Sequence, residues 1–339
     1  MTSPVPASLG LSPAEVTTVL EAAAMAPSVH NSQPWRFRVL PDRIELHADL
    51  TRRLPATDPG DKELRLACGA ALTNLRIALE ALGIRPLVTL LPRNAGPDAL
   101  ATVRHGGQVA PSYRIADLRR AIPSRHTNRK PFRDIPVMPA QLSQLVRAAL
   151  TERSWLHPIT DPAQRSRLHA MVTRAHQIQL SSVEFRAELE HWTGHGGERR
   201  DGVPARSAGP MPEPQDRWVL RDFSGGQARD RLPGKDFERE PLIAVVCSYY
   251  EGLLAELHAG QAMQRVLLTA TTLGLSASFI AQPIEVPECR KQLRHLLGAG
   301  ITPQTILRIG HGSPVAPTPR RPVAELLIDA ERMLPGGNP

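Results

Sequence analysis

The chain has 339 residues, of which 41% are hydrophobic and 22% charged, the balance of an ordinary globular protein. Its longest apolar run, near Leu242 to Cys247, has the length of a strand and is too short to cross a bilayer, so no membrane partner is expected. The net charge of +8 is nearly all arginine, scattered in pairs such as Arg52-Arg53, Arg119-Arg120, Arg199-Arg200 and Arg320-Arg321, and with only 4% aromatic residues no platform for stacking on nucleic-acid bases is expected.

The first residues, MTSPVPASLG, lack the basic head and continuous apolar stretch of a secretory signal, which leads to the expectation of a cytoplasmic protein. LSPAEVTTVLEAAAMA then predicts a helix: Ser12 caps it, Pro13 takes the first helical position, and Val16, Val19, Leu20 and Ala23 recur at helical spacing. From Trp35 to Val39 apolar and basic residues alternate with a period of two, as in a half-buried strand. The connector between them, Pro27-Ser28-Val29-His30-Asn31-Ser32-Gln33-Pro34, is small and polar, with little bulk at Pro27 and Ser28. A flat ligand can lie on such a turn.

Farther along, a long apolar helix through Gly69 to Leu82 is stopped by Gly83 and followed by strands at Pro86–Leu91 and Thr102–Gly106. A polar, basic knot follows at Ile122–Phe132, and a second capped helix at Met138–Ala149. Thr193 to Glu240 is dense in Gly, Pro and charge, too long for an ordinary connector, and carries Trp218, Val219, Leu220 and Phe223 with which to dock. A helix from Gly260 to Leu273, stopped by Gly274, precedes strands at Ser276–Ile280 and Leu307–Gly312. Cys68, Cys247 and Cys289 are far apart without metal-ligand spacing and read as buried thiols, so no metal is expected.

Three of these segments echo one another in the same order. The helix opening at Ser12-Pro13 matches that at Met138-Pro139, the helix with Gly69 matches that with Gly260, and the strand at Thr102–Gly106 matches that at Leu307–Gly312. An α+β unit duplicated within one chain accounts for this, with helices packed on antiparallel or mixed sheets and halves at 1–115 and 116–339. The halves differ in what surrounds the shared helices. The basic knot occurs once, before the second helix opening, and the small turn occurs once, after the first.

These segments resemble the nitroreductase superfamily of FMN-dependent oxidoreductases, and within it the Acg-like branch, in which two nitroreductase units are fused. The resemblance implies that Arg125, Thr127 and Arg129 hold the FMN phosphate, joined by Arg320 or Arg321 near the end of the chain. It implies that Pro27, Ser28, Val29 and Asn31 lie against the flavin ring, with Ile280, Ala281 and Gln282 passing its N5 edge by register. His30 either caps the turn or touches flavin or substrate.

Physical chemistry agrees with that assignment. A phosphate near two negative charges suits arginines and a hydroxyl, each charge-assisted hydrogen bond contributing about 1.5 to 3 kcal/mol. No Ser-His-Asp, Cys-His or paired-carboxylate constellation is apparent, and hydride exchange on a flavin needs none. The expected function is an FMN-dependent oxidoreductase that uses NAD(P)H to reduce a nitroaromatic, quinone-like or unsaturated small molecule. The alternative is a non-catalytic protein that sequesters FMN beneath a lid formed by 193–240. Because knot and turn each occur once, one FMN per chain is expected, in a monomeric pseudo-dimer or weak homodimer.

Overall fold

The structure, a computed structural model, describes residues 5–196, 198–213, 216–228, 240–298 and 300–328. Met1 to Pro4 and parts of the Thr193–Glu240 segment (197, 214–215 and 229–239) lie outside the described residues.

Ser12 sets the first element by a reciprocal cap: its Oγ accepts from the Glu15 N–H, and the Glu15 carboxylate accepts from the Ser12 N–H at 2.9 Å. That starts α1 (Pro13–Ala24), whose Val16, Val19, Leu20 and Ala23 are fully buried. In β1 (Trp35–Leu40) Trp35, Phe37 and Val39 point inward while Arg36 and Arg38 are half-buried. There follow β2 (Arg43–Ala48), α2 (Lys62–Ala81), β3 (Ile84–Leu90), β4 (Ala99–Gln108), α3 (Tyr113–Ser124), α4 (Pro139–Leu150) and β5 (Trp155–Pro158). Next come α5 (Pro162–Ser181), α6 (Val183–Trp192) and the short pair β6 (Thr193–His195) and β7 (Val203–Pro204). The chain continues through β8 (Leu242–Ser248), α7 (Leu253–Thr272), β9 (Ser276–Phe279), α8 (Gln282–Glu285), α9 (Pro287–Leu297), β10 (Thr302–Gly310) and α10 (Val323–Leu326).

The architecture is α+β, with two four-stranded sheets of order β1-β2-β4-β3 and β5-β8-β10-β9 whose neighbours are all antiparallel. Taken in chain order, each sheet puts its fourth strand between its second and third. In each, a 20-residue helix joins the second strand to the third: α2 in one, α7 in the other. These helices cross where neither can carry a side chain. A methyl group on Gly260 would run into the Leu66 backbone, and one on Gly69 into the Leu257 carbonyl. One apolar core joins Leu72 and Leu75 of α2 to Val266 and Leu267 of α7, with Ile44 and Val103 from the first sheet and Val246 and Leu307 from the second.

The longer helices α3, α5, α6 and α9, and the one-turn α8 and α10, exceed what the sequence reading predicted. Three carry caps of the expected type: Ser112 accepts from the Ile115 N–H at 3.2 Å, Asp161 from the Gln164 N–H at 2.7 Å and Ser182 from the Phe185 N–H at 3.1 Å. Strand β10 begins earlier than Leu307 because it lies between β8 and β9 and is buried along its whole length, polar Gln304, Thr305 and Arg308 included. Such a strand shows no period of two. All three cysteines are buried free thiols; burial raises Cys68 and pushes Cys247 up to about 12.

Candidate active site

A cavity opens between α2 and α7 and the segment that follows β7. Pro27, Ser28, Val29 and His30 form one wall, and Thr127, Arg129, Ala281 and Gln282 line it as well.

The turn after α1 is held in an unusual backbone conformation. His30, Asn31 and Gln33 have φ of 51°, 55° and 52°, the left-handed region that side chains other than glycine seldom occupy. The turn is fixed from outside: the Asn31 amide donates to the carbonyls of Gly202 and Pro319, each at 3.0 Å, and accepts from Arg320 at 2.8 Å. Gln33 donates to the Arg200 carbonyl at 2.9 Å and accepts from the Arg321 N–H at 2.8 Å. Asn31 therefore ties the turn to the chain around residue 320 and does not line the cavity. Its neighbour His30 is 3% exposed and neither ring nitrogen has a hydrogen-bond partner. Burial, with Arg221 and Arg129 nearby, holds its pKa well below the usual histidine value, so it is neutral.

The basic knot docks on the end of the second sheet. The Asn128 N–H donates to the Ala277 carbonyl at 2.8 Å, and the Arg308 guanidinium, 4.1 Å from the Phe132 ring, donates to the carbonyls of Asn128 and Lys130. This anchor presents Thr127 and Arg129 to the cavity. Arg125 and Arg320 meet behind the turn, where both donate to the Met25 carbonyl at 3.4 Å. Arg321 turns elsewhere, pairing with Asp49 at 3.4 Å and with Glu325. Ile280 packs into the apolar core beneath the cavity.

Charge is the decisive property of this corner. Among the described residues, no carboxylate pairs with Arg125, Arg129 or Arg320, and the Nε atoms of Arg125 and Arg320 are buried without partners. Burial lowers Arg125 and Arg129 to about 10 and Arg320 to about 9, and each feels another cation of the group or adds to one that does. All three stay charged at neutral pH. A concentration of buried and half-buried cations without acidic partners is costly unless an anion joins it.

Comparison with known proteins fits this geometry. A family model described as "Nitroreductase family" matches residues 7–54, which hold α1, the turn and the first two strands. Two Mycobacterium tuberculosis proteins that carry the name "Putative NAD(P)H nitroreductase" are similar over nearly the whole chain. Rv3131 is 35% identical, covering 94% of this chain and 92% of its own, and acg is 31% identical, covering 92% and 94%. The chain belongs to the nitroreductase family. A solved nitroreductase with bound FMN from Desulfitobacterium hafniense aligns at 14% identity and a TM-score of 0.40, covering 63% of this chain and 98% of that one.

In this nitroreductase-family cavity, Trp218, Val219, Leu220 and Phe223, which the sequence offered for docking, are lining residues, while Arg221, Glu63 and Ser278 were missed. Arg221 stands among the first four in the long segment after β7. Phe223 lies 4.6 Å from the Arg129 guanidinium and 6.2 Å from the His30 ring. Arg221 binds Glu285 at 2.7 Å and Gln179 at 2.8 Å, joining that segment to α8 and α5. Glu63 of α2 and Ser278 of β9 also line the cavity. A first-turn glutamate such as Glu63 ordinarily reads as a complement to the helix dipole, so nothing in the sequence marked it.

Proposed function

We propose that this chain is an FMN-dependent oxidoreductase of nitroreductase type, reduced by NAD(P)H and acting on a nitroaromatic, quinone-like or unsaturated small molecule. The observation that carries the proposal is the set of three arginines, the buried Arg125 and the half-buried Arg129 and Arg320, without acidic partners among the described residues. A flavin phosphate supplies the missing negative charge. Thr127 adds a directional donor, the small residues Pro27 and Ser28 leave a flat bed for the ring, and Ala281 and Gln282 offer the opposite edge. When bound, FMN supplies two-electron transfer to and from small molecules. The protein's part is to orient reactants, exclude water and hold protons.

The same proposal extends to organisation. The identical strand order in both sheets and the meeting of Gly69 with Gly260 support two nitroreductase-like halves at 1–115 and 116–339, with 193–240 inserted as a lid. Where a reciprocal site would lie, the turn after α4 holds Glu152, buried and paired with Arg76 at 2.6 Å and Arg265 at 2.7 Å. That cluster already balances its own charge. One FMN per chain is the consequence, in a protein that is cytoplasmic and needs no second chain.

Titration tests this reading. FMN is expected to bind at least about a hundredfold more tightly than riboflavin, since losing the phosphate forfeits roughly 3 kcal/mol or more. Equal affinities, or two flavins released per chain, would overturn it. A second reading, a flavin-holding protein without turnover, is favoured by Arg221 latching the covering segment to Glu285. Rapid reduction of the bound flavin by NAD(P)H excludes that alternative; reduction by dithionite alone supports it.

A further inference from the structure

Glu63 stands on a partition. With Val29 it lines both the main cavity and a second, much smaller cavity whose other walls include Ser32, Arg52 and Asp58. As the second residue of α2, its carboxylate would ordinarily complement the positive end of the helix. Asp58 already occupies that place, accepting from the Leu64 N–H at 2.9 Å. The Glu63 Oε1 is left shut off from solvent with no hydrogen-bond partner, beside apolar Leu66, Ala67 and Met263.

The charges around it oppose ionisation. Asp58, Glu285 and Glu256 are its acidic neighbours; Lys62 is the opposing cation, and its Nζ donates instead to the Pro303 carbonyl at 2.9 Å. Around the same cavity stand Arg129, Arg221 and Arg308, with His30 neutral. Burial first, then Asp58 and Glu285, hold the Glu63 carboxyl well above the usual carboxylate range.

We propose that Glu63 is the proton donor of the site, a carboxylic acid on the wall between two cavities that protonates a small unsaturated acceptor on one side and is reprotonated from the other. The inference rests on the flavin reading above. Reducing a C=O, C=C or N=O bond by two electrons takes up one hydride, which the reduced flavin supplies, and one proton. The Glu63 O–H bond breaks as the new O–H or C–H bond of the product forms, leaving a carboxylate. A proton returns through the small cavity past Asp58, and the acid is restored. Glu63 thus supplies the group that was not apparent in the sequence.

The test is the Glu63→Gln variant, which keeps shape and polarity but has no proton to give. FMN titration and oxidation of the reduced protein by ferricyanide, which accepts electrons alone, are expected to be unchanged. Oxidation by a naphthoquinone, which needs protons, is expected to slow roughly a hundredfold. Infrared spectra of the cofactor-free protein at neutral pH are expected to show a protonated-carboxyl C=O stretch that the variant lacks. Equal quinone rates with normal FMN binding overturn the proposal. So does the absence of any protonated-carboxyl band from the unaltered protein, a reading that stands even if the variant folds poorly. Unaltered protein that takes up no FMN overturns the flavin reading itself, and the donor role with it.

Discussion

At the scale of single residues, the adjacent arginines 320 and 321 do opposite work. Arg320 is half-buried, faces Arg125 and has no acidic partner among the described residues, whereas Arg321 is neutralised by Asp49 and Glu325. Replacing Arg320 by Ala is therefore expected to weaken FMN binding tenfold or more, about 1.4 kcal/mol. Arg321→Ala is expected to lower the melting temperature while changing FMN affinity by less than that. An Arg125→Met substitution separates binding from stability further. It removes a buried unpaired charge while retaining bulk, so cofactor-free protein is expected to melt no lower than the parent even though FMN affinity falls. A large drop in the melting temperature without loss of affinity would return Arg125 to a structural role.

Elements meet most closely at the α2 and α7 crossing. Backbone rather than flexible side chain faces both Gly69 and Gly260, so neither site can absorb a methyl group by rotation. Gly260→Ala is expected to destabilise the protein by about 3 kcal/mol, read as a shift in the denaturant midpoint. An unchanged midpoint would mean that the helices separate at little cost. The segment that covers the cavity is held differently, by the polar latch of Arg221 on Glu285 and Gln179 and by rings set against Arg129 and Arg165. Cutting the latch with Arg221→Ala is expected to speed reduction of bound flavin by NAD(P)H several-fold, provided opening limits the rate. No change in stopped-flow rate removes the segment from control of access.

For the whole molecule, pH is the sharpest probe of how charge is buried. Eight of the twelve histidines, His30, His47, His126, His157, His169, His176, His195 and His258, have pKa values lowered chiefly by burial. Below about pH 6.5 the unfolded chain takes up protons that the folded one refuses, so stability falls as pH falls. Glu63 and Asp58, with raised pKa values, act in the opposite sense: the folded state holds their protons where the unfolded chain has lost them. Two carboxyls against eight imidazoles leave the histidines in control. The melting temperature of cofactor-free protein is expected to be lower near pH 5 than near pH 7.5, and a flat profile would show that these rings titrate freely.

Local chemistry was legible in the sequence. The Ser12 and Pro13 start of α1, the alternation in β1, the stop signals at Gly83 and Gly274 and the long helices that carry Gly69 and Gly260 all depend on neighbours within a few residues, and each is where the pattern put it. The candidate site was legible only as fragments. That Thr127 and Arg129 share a cavity with Pro27 and Ser28 depends on packing between the two sheets, and that Asn31 is consumed by Gly202, Pro319 and Arg320 depends on segments far away in the chain. The protonated state of Glu63 is a tertiary property in the same way. Its carboxyl differs from a surface glutamate because its Oε1 is shut off from solvent and Asp58, Glu285 and Glu256 stand near it. Sequence determines what each residue can donate, accept or bury; the fold alone decides which charges are left without a partner.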